Sequence, residues 1–276
     1  MNNMDIVKAR RSVRSFDGRA LTEADRDMLE RFAQSARNPY GIPVDFVFLD
    51  AAEHGLSSPV ITGETLYVAA KAAKQPHVEE AIGFSFEKLV ILAQSMGVGT
   101  TWIGGTMNRA LFEKAAGLED GELMPCVSPL GYPASKMSLR ETLMRRAAKA
   151  DERQSADALF FDGAFGVPLN EADEMVQTAL EMVRLAPSAV NRQPWRVVRV
   201  GRDYHFYLKH AKGYVSAATG DLQKVDMGIA LCHFLSGVAG EFKLEDPGLP
   251  TEKDVEYIAT VRVTPLPEGW NGGAAE

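Results

Sequence analysis

The stretch Ala186-Pro187-Ser188-Ala189-Val190-Asn191-Arg192-Gln193-Pro194-Trp195 decides more about the fold than any other part of the chain. Apolar residues at helical spacing end at Leu185, Pro187 is typical of a turn, and Pro194 stands before a strand-like run. Local structure therefore explains the prolines. It does not explain why one loop also carries hydroxyl, amide and indole groups at this spacing: Ser188, Asn191, Gln193 and Trp195.

A second polar cluster lies near the start of the chain, within Lys8–Phe16. It places three guanidinium groups and a hydroxyl within five positions: Arg10, Arg11, Ser12 and Arg14. Guanidinium forks form charge-assisted, bidentate hydrogen bonds to phosphate oxygens, and a serine adds a neutral one. Taken alone, however, such a cluster is more often a solvated basic turn.

The chain shows signs of an internal repeat. Leu21–Asp25 and Leu169–Asp173 share four of five residues and lie 148 positions apart (21 against 169). Thr22 and Asn170 are each predicted to cap a helix, with an acidic residue three positions later. Each helix is followed by a loop and a predicted strand, at residues 46–49 and 195–200.

A fainter correspondence follows within each half. Residues 83–93 and 225–235 predict two long buried helices 145 positions apart (83 against 228), each followed by a β-rich run at 125–133 or 257–263. The repeated order of elements favours duplication over chance. Residues 134–158, which are charged and rich in alanine, predict a largely solvated connecting helix, and the tail 269–276 is predicted to be frayed.

The run Gly97–Arg109 contains Gly97-Val98-Gly99, but a helix precedes it where a dinucleotide-binding loop needs a strand. Gly97 is therefore predicted to end that helix. Gly104 and Gly105 could instead let the backbone approach a flat ring closely.

Composition excludes several classes of protein. The net charge of −7 argues against a nucleic-acid partner, and no apolar run is long enough to span a membrane. The two cysteines, Cys126 and Cys232, show no metal spacing, which predicts buried thiols in a cytoplasmic protein. The five histidines show none either, and His233 fits the core face of its helix. No hydrolase or metalloenzyme motif is present.

The two polar segments together resemble the two parts of a flavin mononucleotide (FMN) site in the nitroreductase family. Trp102–Arg109 followed by Leu130–Pro133 is similar to the branch in which one chain mimics the family's homodimer. The resemblance implies an α+β fold of two tandem halves, 1–153 and 154–276, packed as an intramolecular pseudo-dimer. It also implies a set of cofactor-binding residues: Arg10, Arg11, Ser12, Arg14, Ile103, Gly104, Gly105, Arg153, Pro187, Ser188, Asn191 and Gln193.

The function implied by this resemblance is transfer of hydride from NADH or NADPH, through flavin N5, to a small-molecule acceptor such as a nitroaromatic or a quinone. Peptide N–H groups near Gly104 would stabilise the reduced ring, and no protein nucleophile is expected. Flat substrates could stack on Trp102, Tyr40 or Trp195, although core packing explains each of these as well.

The two halves depart from the family pattern in different ways. The second half begins Leu159–Phe165 where the arginine-serine motif belongs, and the first half has Ala33–Pro43 in place of the Pro-Ser-x-x-Asn-x-Gln-Pro segment. We therefore expect one surviving flavin site and a monomer. The alternative is a scaffold that binds flavin without turnover, or that binds no flavin.

Overall fold

The computed structural model describes residues 2–147, 149–170 and 172–265. The predicted tail, 269–276, lies outside these residues. The helices are α1 Asn3–Ala9, α2 Glu23–Ser35, α3 Ala51–His54, α4 Val78–Ser95, α5 Arg109–Ala115, α6 Leu139–Ala147, α7 Ala156–Leu159, α8 Glu174–Leu185 and α9 Leu222–Leu235. The strands are β1 Asp45–Asp50, β2 Leu66–Ala73, β3 Glu122–Leu123, β4 Val127–Leu130, β5 Phe160–Asp162, β6 Trp195–Val200, β7 Asp203–Lys209, β8 Val215–Ser216, β9 Gly220–Asp221, β10 Gly240–Lys243 and β11 Val255–Val263.

Each half of the chain builds one main sheet. In the first, β2 pairs antiparallel with β1, β3 and β4. In the second, the order is β10-β11-β7-β6-β5, and only the β5–β6 pair is parallel. The predicted α+β fold with largely antiparallel sheets is confirmed. The boundary between residues 153 and 154 stays a prediction.

The helix start predicted for the first half of the chain is confirmed, and the one predicted for the second half is not. Thr22 caps α2, since its Oγ1 accepts the N–H of Asp25 at 3.1 Å. The matching prediction for Asn170 is wrong because α8 begins at Glu174, after Asp173. The physical reason is that Leu169 donates its N–H to Phe160 O at 3.1 Å, which holds this segment beside β5. Gly97 follows α4 at φ +75°, as predicted for a helix-ending glycine.

The long helices α4 and α9 cross in backbone contact between the two sheets. A Cβ atom built on Gly83 would lie 2.1 Å from the carbonyl oxygen of Val225, and one built on Gly228 would lie 2.0 Å from that of Glu80. Each glycine and each carbonyl corresponds to its counterpart 145 positions along the chain. Such reciprocity is what an approximate two-fold axis between the halves produces, so it supports the predicted pseudo-dimer.

The N-terminal helix links the halves a second time. Helix α1 packs against both α4 and α8, and Asn3 Nδ2 donates to Ser236 O at 2.9 Å. Among the described residues, no helix has the length and apolar character needed to cross a membrane.

Candidate flavin-binding site

A cavity between the two halves unites both predicted segments. The cavity has a volume of about 160 Å³ and is partly open to solvent. Eight predicted residues line it: Arg10, Ser12, Arg14, Gly104, Arg153, Pro187, Ser188 and Asn191. The others that line it are Trp102, Cys126, Ala150, Ala189, Val190, Leu222, Val225, Asp226 and Ile229.

An extended segment presents the first-half side chains to this cavity. Val13 donates its N–H to Thr100 O at 2.9 Å, and Ser12 forms a parallel bridge with Thr100. Because side chains alternate along extended backbone, Arg10, Ser12 and Arg14 share one side while Val13 is buried on the other. The sequence spacing therefore sets which of these residues can meet a ligand.

Three guanidinium groups around the cavity have nitrogen atoms without partners. Arg10 Nε, Arg14 Nη1 and Arg153 Nε are buried and have no hydrogen-bond partner among the described residues. Burial lowers the pKa of all three side chains, Glu87, Glu141 and Asp151 oppose this at Arg10, Arg14 and Arg153 respectively, and repulsion from neighbouring arginines adds to it. Arginine nevertheless stays protonated, so the cavity holds a surplus of positive charge that an anion would offset.

Two predicted residues are used elsewhere in the structure. Arg11 does not line the cavity but faces the buried Glu141, with Nη1 3.6 Å from Oε1. Ile103 is buried, and its N–H and C=O both pair with Val127 at 2.9 Å. These contacts leave Arg11 and Ile103 as supports of the site rather than groups that face a ligand.

The backbone N–H groups of the two glycines that follow Ile103 are not used in the way that its own N–H is. Gly104 lines the cavity, and its added Cβ would lie 3.3 Å from the Leu222 side chain. Gly105 does not line the cavity, and a Cβ there would meet nothing within 4 Å. Neither glycine N–H donates a hydrogen bond within the described residues, so both remain available.

The second-half loop has an unusual backbone. Val190, Asn191 and Gln193 have φ values of +51°, +56° and +51°. A β-branched residue rarely adopts this conformation, and Val190 is strained by its contacts with its own backbone. Strain of this kind persists only where surrounding contacts enforce it.

Those contacts come from the loop itself and from α9. Ser188 Oγ accepts the N–H of Gln193 at 2.9 Å, and Ala189 N–H points at both carboxylate oxygens of Asp226, at 3.0 and 3.1 Å. The Gln193 side chain faces away from the cavity, where its Oε1 accepts the N–H of Gln154 at 2.9 Å. Gln193 therefore shapes the loop and is not part of the cavity lining.

The segment between the halves completes the loop's support. Asn191 Nδ2 donates to the carbonyls of Lys149 and Glu152 at 2.7 and 2.9 Å. Arg153 Nη1 donates to Ala150 O and Glu152 O at 2.9 and 2.8 Å. The side chains of Lys149, Asp151 and Glu152 are nevertheless 70%, 80% and 66% exposed, so the prediction that most charges of the connector are solvated is confirmed here.

Helix α6 departs from the prediction of a solvated connector. Its Glu141 is buried at 2% exposure, and the Arg145 side chain is only 16% exposed and pairs with Asp151. Tertiary contacts with the arginine-serine segment override the charged composition of this helix: Ser138 donates its N–H to Ser15 Oγ at 3.2 Å.

A Val190→Asn substitution should stabilise the protein by about 1 kcal/mol, since asparagine tolerates a positive φ and the valine side chain is 67% exposed. Urea unfolding measures the change. Val215→Asn is the control, because Val215 is similarly exposed but lies in a strand. Equal effects at both positions would contradict a backbone origin.

Comparison with known proteins gives the family. The family model described as "Putative TM nitroreductase" matches residues 2–238. The chain belongs to this nitroreductase family. It is accordingly a nitroreductase-family oxidoreductase.

A solved structure shares the fold over nearly the whole chain. The chain is similar to a crystal structure of "a putative nitroreductase" from Thermotoga maritima, with 21% identity, a TM-score of 0.64, and coverage of 96% of this chain and 95% of that chain. An "FMN-dependent Nitroreductase" from Clostridium difficile is 16% identical over 48% of this chain and 88% of that chain, with a TM-score of 0.42. A comparison with curated proteins gave no match.

Sequence reasoning missed two carboxylates of this nitroreductase-family chain. Asp226 lines the cavity at 3% exposure, and burial raises its pKa well above the usual range. Glu87 is fully buried and accepts Trp102 Nε1–H at 3.0 Å through Oε2, while its Oε1 lies 2.8 Å from His233 Nε2. The available signal was an acidic residue inside each apolar helix, since such residues are almost never buried without a partner.

The predicted core position of His233 is confirmed. Of the three aromatic residues considered for stacking, Trp102 alone lines the cavity, and Trp195 is fully buried. Among the described residues, no group of His, Cys, Asp and Glu side chains is arranged to hold a metal.

The opposite interface is filled by aromatic packing. At the 145-residue spacing, His77, just before α4, and Ala81 on α4 correspond to Leu222 and Asp226 of α9. The Tyr40 ring stacks on His77 at 5.4 Å between ring centres and meets Phe242 edge-on at 4.8 Å. The two interfaces are therefore unlike, in keeping with the expectation of one site.

Proposed function

We propose that this protein is an FMN-dependent oxidoreductase that transfers hydride from NADH or NADPH to a small-molecule acceptor such as a nitroaromatic or a quinone. The observation that carries the proposal is the cavity in which buried guanidinium nitrogens of Arg10, Arg14 and Arg153 lack partners. When bound, FMN supplies the hydride chemistry, which no side chain provides.

The residues present fit FMN at both ends of the molecule. A phosphate monoester carries nearly two negative charges and three acceptor oxygens. The three guanidiniums and the Ser12 hydroxyl would hold it by charge-assisted hydrogen bonds. The apolar lining, from Leu222, Val225 and Ile229 of α9, offers a surface for a flat ring.

Other parts of the chain would orient the ring and shape its surroundings. The N–H group of Gly104 can donate to a ring heteroatom, and Glu87 fixes the Trp102 indole at the cavity wall. Preorganised donors of this kind stabilise developing negative charge without a cost of reorganisation.

We also propose that one chain is the complete functional unit, because it supplies both segments of the cavity. A monomer is therefore expected. The buried free thiols of Cys126 and Cys232 support a reducing, cytoplasmic setting.

Anaerobic reduction tests this function. The FMN-loaded protein should lose its flavin absorption band on addition of NADPH or NADH and regain it when a quinone or a nitroaromatic is added, with free FMN as the control. A bound flavin that neither nicotinamide reduces would indicate a non-catalytic flavin-binding scaffold. Failure to bind FMN would indicate that the motifs are relics.

A further inference from the structure

Asp226 is a carboxyl group in an apolar setting inside the cavity. It lies on the face of α9 that also carries Leu222, Val225 and Ile229, and it is 3% exposed. Its hydrogen bonds within the described residues come from one donor, Ala189 N–H, which both oxygens share. An ionised carboxylate offers about four lone-pair sites, so a single N–H leaves it poorly satisfied.

Within the part of the chain that the structure describes, no cation forms an ion pair with Asp226. The groups that act on it are Asp221, whose negative charge raises its pKa further, and Ala189 N–H, which opposes the rise. Cys126 lies close enough for the Asp226 charge to raise the thiol's pKa.

The other charged groups near Asp226 either bond to different residues or form no ion pair with it. The packed helix α4 carries Glu80 and Glu87, and Glu87 is bonded to Trp102 and His233. Arg10, Arg14 and Arg153 line the same cavity but form no ion pair with Asp226 within 4.0 Å. A buried carboxylate without a cationic partner normally takes up a proton.

The matching position in the first half of the chain does not carry a carboxyl group. Its counterpart 145 positions earlier is Ala81, at the interface that Tyr40 and His77 fill. Asp226 therefore lies at the interface that forms the cavity. The symmetric packing of α4 on α9 does not by itself require a carboxyl group, since the matching position is alanine.

We propose that Asp226 carries a proton at neutral pH and donates it as a hydrogen bond to a carbonyl oxygen or ring nitrogen of the planar ligand in this cavity. The proposal rests on FMN being that ligand. A protonated carboxyl has one O–H donor, and its other oxygen can keep the bond from Ala189. Ionisation would remove the donor and set a negative charge beside an already anionic cofactor.

The sign of the pH effect follows from this arrangement. Ligand binding favours the protonated carboxyl, so affinity is fully present below its pKa in the free protein and falls as pH rises above it. For one proton the dissociation constant should increase about tenfold per pH unit in that range. The FMN phosphate titrates near pH 6 but contributes equally in every variant.

Titration of the apoprotein with FMN between about pH 5 and about pH 9 tests the proposal, with flavin fluorescence as the readout. Wild-type protein should bind progressively more weakly at high pH. Asp226→Asn keeps a neutral donor, so it should bind at neutral pH within about threefold of wild type and lose the high-pH decline. Asp221→Asn is the matched control and should retain the decline, moved to lower pH because it removes a negative charge that raises the pKa of Asp226.

A second measurement separates this proposal from the proposed function. Infrared difference spectra of wild type minus Asp226→Asn apoprotein should contain the C=O band of a protonated carboxyl at neutral pH. If FMN does not bind at all, the proposed function fails and this band alone decides the state of Asp226. Absence of the band, or strong loss of FMN affinity in Asp226→Asn with a pH-independent wild type, would overturn the proposal.

Discussion

Replacing Arg10 with methionine should weaken FMN binding by about 10- to 100-fold, because hydrogen bonds to charged groups contribute about 1.5–3 kcal/mol each. The same substitution should not lower the thermal stability of the apoprotein. Methionine fills similar space with an apolar side chain, and it removes a guanidinium whose buried Nε has no hydrogen-bond partner among the described residues. Loss of affinity without loss of stability distinguishes a ligand-binding arginine from a structural one.

The measurement is an FMN titration together with a thermal melt of each apoprotein. Arg31→Met is the control, since that guanidinium is 75% exposed and pairs only with Asp27 along its own helix. It should change neither quantity appreciably. If Arg10→Met lowered the melting temperature of the apoprotein but left the FMN affinity unchanged, Arg10 would be structural and the cavity would not be a phosphate site.

Replacing Gly228 or Gly83 with alanine should destabilise the protein by about 3 kcal/mol or more, the range for overpacking against atoms that cannot move independently. The new methyl group would lie 2.0 or 2.1 Å from a backbone carbonyl of the facing helix, so α4 and α9 would have to separate. In an unconstrained helix the same change would be stabilising by about 1 kcal/mol. The sign of the effect therefore reports the helix crossing directly.

Urea unfolding measures both variants, with Gly105→Ala as the control because a methyl group there meets nothing within 4 Å. The two helix variants should be affected to a similar extent, since the contacts are reciprocal. A mild effect at one glycine and a severe one at the other would contradict the approximate two-fold relation.

Much of the site could be predicted because its two segments are local. The alternation of Arg10, Ser12 and Arg14 and the turn residues 187–191 are encoded within a few positions each, and both segments line one cavity. That the two segments come together in one site was predicted from the resemblance to a family and not from either segment alone.

The errors came from tertiary contacts. Strand β2, Leu-Tyr-Val-Ala-Ala-Lys-Ala-Ala, was not predicted because alanine favours helix, yet burial in the middle of the sheet makes it a strand. The role of Lys149–Gln154 depends on backbone carbonyls, which leave no trace in side-chain chemistry. Likewise, Asp226 could be recognised as an exception in its helix but not placed in the cavity.

The most direct test of a single flavin site built by one chain is the stoichiometry of FMN binding, measured by native mass spectrometry on the apoprotein titrated with FMN. We expect one FMN on a monomeric chain, with clearly lower occupancy in Arg10→Met at FMN concentrations that just saturate wild type. Two FMN molecules per chain, or binding that appears only in a dimer, would contradict it.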